Sequence, residues 1–180
     1  MTVVNPAEPA HVEAIATLAE EMDRFYGATE VEPLDLRVRQ INEVLFGNPP
    51  SAYALLAWDD DVLVGFAAYS FLWPAIGLTR SLYLKELYVI EAARRTGVGK
   101  LLMRHLYEIA VKQDCTRVEW TTDSGNTDAQ RFYAELGVRV SESKLFYRIE
   151  GEELRRAAEA TAAPRSADDP SSKSGQRPRS

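Results

Sequence analysis

The chain has 180 residues, 46% apolar and 27% charged, which suits one core of good size. Twenty-one Lys and Arg stand against 27 Asp and Glu, a formal net charge of -6, which excludes broad attraction to nucleic acid or an anionic membrane and favours cationic partners. A single cysteine, Cys115, excludes an internal disulfide and a four-cysteine metal cluster. The opening MTVVNPAEPAHVEA lacks a basic segment followed by an apolar core, and no run approaches about 20 uncharged apolar residues, so the cytoplasm is the expected location.

Residues 2–5 read as a short strand. Pro6 and Pro9 then introduce a helix in which Val12, Ile15, Leu18, Ala19 and Met22 recur at helical spacing as far as Phe25. A second helix is expected over residues 34–46, with Leu34, Val38, Ile41 and Leu45 on one side and Gly47, Pro49 and Pro50 stopping it; the two helices should pack together. Residues 51–58 and 62–71 read as an antiparallel strand pair turning at Asp59, Asp60 and Asp61.

Residues 81–90 form a further strand candidate. Strict alternation puts Leu82, Leu84, Glu86 and Tyr88 on one face and Tyr83, Lys85, Leu87 and Val89 on the other. Both faces are largely apolar, as in a covered central strand, which leaves the charges of Lys85 and Glu86 to be explained. A helix over residues 98–112, a strand over 115–122, a short helix over 127–136 ended by Gly137, and strand material over 138–149 complete the order. That order implies an α/β fold, a mixed central sheet flanked by helices, in which strands 81–90 and 115–122 pair in parallel across the intervening helix.

From Thr161 the chain has no Leu, Ile, Val or aromatic residue and cannot offset the entropy of ordering with a core. We therefore expect a domain over residues 1–150 and a polar, disordered tail over 151–180. The first 150 residues hold 15 Lys and Arg against 22 Asp and Glu, so the expected domain is more acidic than the whole chain.

The segment Arg94, Arg95, Thr96, Gly97, Val98, Gly99, Lys100 stands between a strand and an amphipathic helix. Its glycines let the backbone bend and aim N–H groups at an anion, and its cations add positive potential; pyrophosphate fits. A P-loop is excluded, because Arg94 and Leu101 occupy the places of its first glycine and its Ser or Thr. A dinucleotide fingerprint starting at Gly97 would need its third glycine where Leu102 stands.

Arg94, Gly97 and Gly99 match the acyl-CoA signature of the GCN5-related N-acetyltransferase (GNAT) superfamily, which the chain resembles. Leu84 to Val89 (LKELYV) is similar to that family's central strand, and Asn126 to Gly137 (NTDAQRFYAELG) to its later Asn-to-Phe-Tyr segment. The resemblance implies acetyl-CoA as donor, with the backbone around Leu87, Tyr88 and Val89 holding the pantetheine arm and residues 94–100 receiving the pyrophosphate. It further implies that Asn126 contacts the cofactor and that Tyr133 lies near the sulfur as general acid. Glu86 is the candidate base, either by accepting the amine proton directly or through water. LKELYV resembles the diamine branch in particular, where an acidic pair occupies the places of Lys85 and Glu86; here the first acid is lysine.

Phe25, Tyr26 and Glu30, with Trp73 and Glu86, are expected to wall an acceptor cleft. Packing in the core or in a homodimer is the alternative use of those aromatic side chains. No metal arrangement is expected around His11, His105 or Cys115, and Cys115 reads as a core thiol. The expected reaction is acetyl transfer to a primary amine of a small molecule, with protein acetylation or noncatalytic acyl-CoA binding as alternatives and with neither nucleic acid nor membrane as partner.

Overall fold

The computed structural model describes residues 1–162, with side chains through residue 159. Met1–Val138 forms one compact unit, and the described residues from Arg139 onward belong to a second.

Five strands form the sheet: β1 (Thr2–Pro6), β2 (Tyr53–Asp59), β3 (Val62–Leu72), β4 (Arg80–Val89) and β5 (Cys115–Trp120), side by side in that order. The first four are mutually antiparallel neighbours, and β4 pairs with β5 in parallel. The parallel join is made by α3 (Val98–Lys112), the crossover that a parallel pair needs. The expected hairpin and crossover are both present.

Two apolar clusters lie on opposite faces of the sheet. On one face Leu55, Ala67, Leu82 and Leu84 pack with Leu102, Met103 and Leu106 of α3 and with Phe132, Tyr133 and Leu136 in and just after α4 (Thr127–Glu135). On the other, Leu56, Phe66 and Tyr88 pack with Ile15, Leu18 and Met22 of α1 (Val12–Phe25) and Ile41 and Leu45 of α2 (Leu34–Phe46). Arg37 fastens α2 to α1: it donates to the carbonyls of Ala16 and Glu32 and pairs with Glu20, so each nitrogen of a buried guanidinium has a partner.

Strict alternation fails in β4. Tyr69 pairs with Leu84, but the preceding residue of β3, Ala68, pairs with Glu86, so Lys85 is the extra residue of a bulge. The bulge moves Glu86 and Tyr88 to the face of α1 and α2 and returns Leu87 and Val89 to the face of Leu82 and Leu84. Placing Leu82, Leu84, Glu86 and Tyr88 together on one face is therefore corrected.

The expected strand material over residues 138–149 does not form. Val140, Leu145, Phe146 and Tyr147 are exposed, and among the described residues no strand pairs with this stretch. Strand propensity is realised only where a neighbour satisfies the backbone. The expectation of a disordered tail is corrected over its first part, because α5 (Gly151–Ala162) is helical. Glu152 and Glu153 favour its N-terminal turn, and Glu152 is placed to pair with Arg155 and Arg156 at helical spacing. The rest of the expected tail lies outside the described residues.

Candidate active site

β4 and β5 part before β4 ends. Their pairing stops at Leu84 and Trp120, so from Lys85 to Val89 the edge of β4 has no strand beside it. A strand edge of this kind offers backbone donors and acceptors to an extended ligand, in the manner of an added strand. Leu87, Tyr88 and Val89 lie on that edge, with Tyr88 itself buried and its hydroxyl donating to Glu21 Oε1 at 3.0 Å.

The chain leaves β4 through residues 90–97 and enters α3 at Gly97. Gly97 has φ of 98° and Arg95 φ of 64°, both in the left-handed region. No side chain caps the start of α3, and its first intrahelical bond runs from Leu101 N–H to the Gly97 carbonyl at 2.9 Å. The N–H groups of Val98, Gly99 and Lys100 precede that bond and are those a helix start offers to an anion. Thr96 Oγ1 donates to the Ala93 carbonyl at 2.7 Å, closing the loop on itself. Lys100 Nζ lies 3.7 Å from Glu135 of α4. Arg94 is turned inward: Nε donates to the Val89 carbonyl at 2.9 Å and its guanidinium lies over the ring of Phe25. An uncapped helix start, two left-handed loop residues and the open strand edge fit a ligand with an extended amide chain ending in phosphates.

Gly99 answers a packing need. A Cβ at Gly99 would stand 3.2 Å from Cζ of Phe132, so α3 and α4 approach closely there. Asn126 caps α4 by accepting the Ala129 N–H on Oδ1 at 3.0 Å, a bond that does not use its amide nitrogen. Tyr133 follows Phe132 on α4, its ring 5.0 Å from that of Trp120 at the end of β5.

Tyr133, Glu86 and Tyr26 form one electrostatic group. Burial pushes the Tyr133 phenol up to about 12, with the charge of Glu86 adding to the shift. Burial also raises the Glu86 carboxyl above 4.5; the backbone N–H of Leu87 and the charge of Lys85 oppose this, while Asp23 and Asp123 add to it. Tyr26 is raised by burial and by Glu86. Two residues of this group, Asp23 and Asp123, escaped sequence reasoning. The available signals were the position of Asp23 in the last turn of α1, three residues before Tyr26, and that of Asp123 in the turn before Asn126.

The structure does not bring Trp73 to this group. Trp73 follows the end of β3, five residues beyond Ala68, the partner of Glu86; at about 3.3 Å per residue that is roughly 16 Å along the strand. Its indole Nε1 donates to the Leu78 carbonyl at 3.0 Å within its own loop. Trp73 as a wall of the same cleft is corrected on that ground. Glu30 lies in the exposed connection between α1 and α2. Among the described residues no group of His, Cys, Asp and Glu is arranged to hold a metal ion.

Parted parallel strands leading to an uncapped, glycine-bent helix start define a class of α/β protein that takes an elongated, anion-ended ligand between its strands. The chain belongs to the acetyltransferase (GNAT) family, whose sequence pattern matches residues 15–138. It is 30% identical over 152 residues to the D-amino-acid N-acetyltransferase HPA3 of Saccharomyces cerevisiae, covering 83% of this chain and 91% of that protein. It is 31% identical over 97 residues to the L-ornithine N5-acetyltransferase NATA1 of Arabidopsis thaliana. That match covers 54% of this chain but only 42% of the length of NATA1. Among solved structures, the integron cassette protein VCH_CASS6 from the mobile metagenome of V. cholerae superposes with a TM-score of 0.78 at 29% identity, covering 87% of this chain and 97% of that one.

Proposed function

We propose that this protein transfers acetyl from acetyl-CoA to a primary amine of a small molecule. The observation that carries the reading is the grouping of Glu86 and Tyr133 beside the open edge of β4, one loop away from the anion cradle at α3. The family membership and the amine substrates in the names of NATA1 and HPA3 support it.

Acetyl-CoA supplies the activated acyl group when bound. The N–H groups of Val98, Gly99 and Lys100 receive its pyrophosphate, with Arg95 adding charge, and the edge Leu87 to Val89 holds its amide chain. An amine attacks only when neutral, and Glu86 accepts the proton it sheds. A carboxyl raised by burial is a better base than an exposed one. Tyr133, protonated throughout the physiological range, holds its proton on Oη for the departing sulfur. A phenol near 12 is a weaker acid than an alkyl thiol and gives that proton up only transiently, so Tyr133 must regain it. Glu86 is electrostatically coupled to Tyr133 and carries the proton taken from the amine. The net change is one proton moved from nitrogen to sulfur. Asp23 and Asp123 add negative charge that attracts a cationic acceptor.

Thiol release from acetyl-CoA, measured against ornithine, D-amino acids, diamines, an aminoglycoside and a lysine peptide, tests the reading. We expect acceptor-dependent release with at least one small amine. In single turnover Y133F should transfer acetyl about a hundredfold more slowly, with CoA affinity retained. Release only with the peptide would move the assignment to proteins, and CoA binding without turnover on any amine would make the chain a binding module.

A further inference from the structure

Arg94 belongs to the loop assigned to the cofactor, yet its side chain is committed elsewhere. Its guanidinium carbon lies 4.1 Å from the ring centroid of Phe25 and 5.6 Å from that of Tyr88, while Nε is held by the Val89 carbonyl. Phe25 is the last residue of α1 and is 53% exposed, so packing in the core does not account for it. Its ring centroid lies 6.0 Å from that of Tyr88 and 5.3 Å from that of Tyr26, and Tyr88 is bonded back to α1 through Glu21. The guanidinium, clamped between aromatic faces and a carbonyl, thus joins the end of α1 to the loop that opens α3. Just beyond the clamp stand Tyr26 and then Gly27, where φ of 96° turns the chain out of the helix.

We propose that Phe25 is a positioning residue: stacked on Arg94, it ties the end of α1, and with it Tyr26, to the anion-binding loop, so that filling the loop orders the acceptor side of the cleft. Phe25 then acts through Arg94 and does not serve as a wall against the acceptor. The inference rests on the reading of residues 94–100 as the cofactor's phosphate site. Linkage makes the coupling reciprocal, so ordering of the α1 end must tighten the loop's grip on the cofactor by the same factor.

Hydrogen exchange of the full chain with and without coenzyme A, alongside calorimetry of coenzyme A binding, tests this without an acceptor. In the wild type coenzyme A should slow exchange over residues 22–30. F25A should lose that protection and bind coenzyme A about two- to fivefold more weakly, the change that a cation–π contact at an exposed site corresponds to. F25W should restore both. R94K, which keeps the charge and loses the planar stack, should behave like F25A and guards against local damage from the truncation. Binding of coenzyme A with no protection over residues 22–30, or protection that survives in F25A and R94K, overturns the coupling and leaves the phosphate site standing. Absence of coenzyme A binding to the wild type overturns both.

Discussion

Glu86 carries the sharpest pH signature. Its carboxyl is raised above 4.5 chiefly by burial, with Asp23 and Asp123 contributing. A carboxyl raised by folding favours the folded state fully below its unfolded value and loses that contribution as pH rises through its folded value. The charged form of the partly buried Glu86 is therefore a liability to stability. E86Q should melt at a higher temperature than the wild type at pH 7, with the gap closing as pH falls through the raised folded value toward 4.5 and staying closed below it. The same variant should lower kcat about a hundredfold and erase the acid limb of the kcat/KM profile. A Tm gap that is constant across pH would show that Glu86 is solvated, and an unchanged acid limb would remove it as the base. This residue was visible in the sequence as an unexplained charge on an apolar strand. Tyr26 was expected beside it, but Asp23 and Asp123 were not, since they come from a helix and a loop distant from Glu86 in the chain.

Between elements, the contact that matters most is that of α3 with α4. Gly99 lets the helices approach until a Cβ would meet Phe132 at 3.2 Å, closer than most Cβ contacts. G99A should push Phe132 aside by a few tenths of an ångström and carry its neighbour Tyr133 with it. The expected result is a fall in kcat on the order of tenfold or less with little change in the KM for acetyl-CoA, since the misplacement is well under an ångström. G99A/F132L, with the ring removed, should recover the loss; a double variant no better than G99A would show that strain in the loop, and not the helix contact, is responsible. The glycine pair was legible as an anion motif because bending and helix entry are local. That Gly99 serves a helix contact could be known only once α4 was in place.

Across the whole molecule, charge is divided unevenly. The first 150 residues hold 22 acidic against 15 basic side chains, while Arg94, Arg95 and Lys100 gather at one loop. On the proposed function an acidic body would steer cations and a local basic loop would receive phosphates, and both effects weaken with salt. We expect the KM of a dicationic amine to rise several-fold between low salt and 0.3 M NaCl, and that of a singly charged amine to rise less. Equal salt dependence for the two would mean that Asp23 and Asp123 do not take part in recognition.

The sequence by itself determined α1 to α4, the β2–β3 hairpin and the parallel crossover to β5, because helical and strand periodicities are written in neighbouring residues and Gly and Pro mark their ends. It also pointed to residues 94–100 as the proposed anion loop, because the chemistry invoked there lies within seven consecutive residues. Three things were decided by tertiary structure alone. The bulge at Lys85, which turns Glu86 toward α1, is a property of how β4 pairs with β3 and leaves no trace in alternation. The parting of β4 from β5 after Leu84 depends on where two strands, whose partners stand 35 or 36 residues apart in the chain, cease to bond. The strand-like pattern over residues 138–149 stayed unpaired, because apolar alternation specifies a face for burial, whereas a strand exists only where another backbone completes its hydrogen bonds.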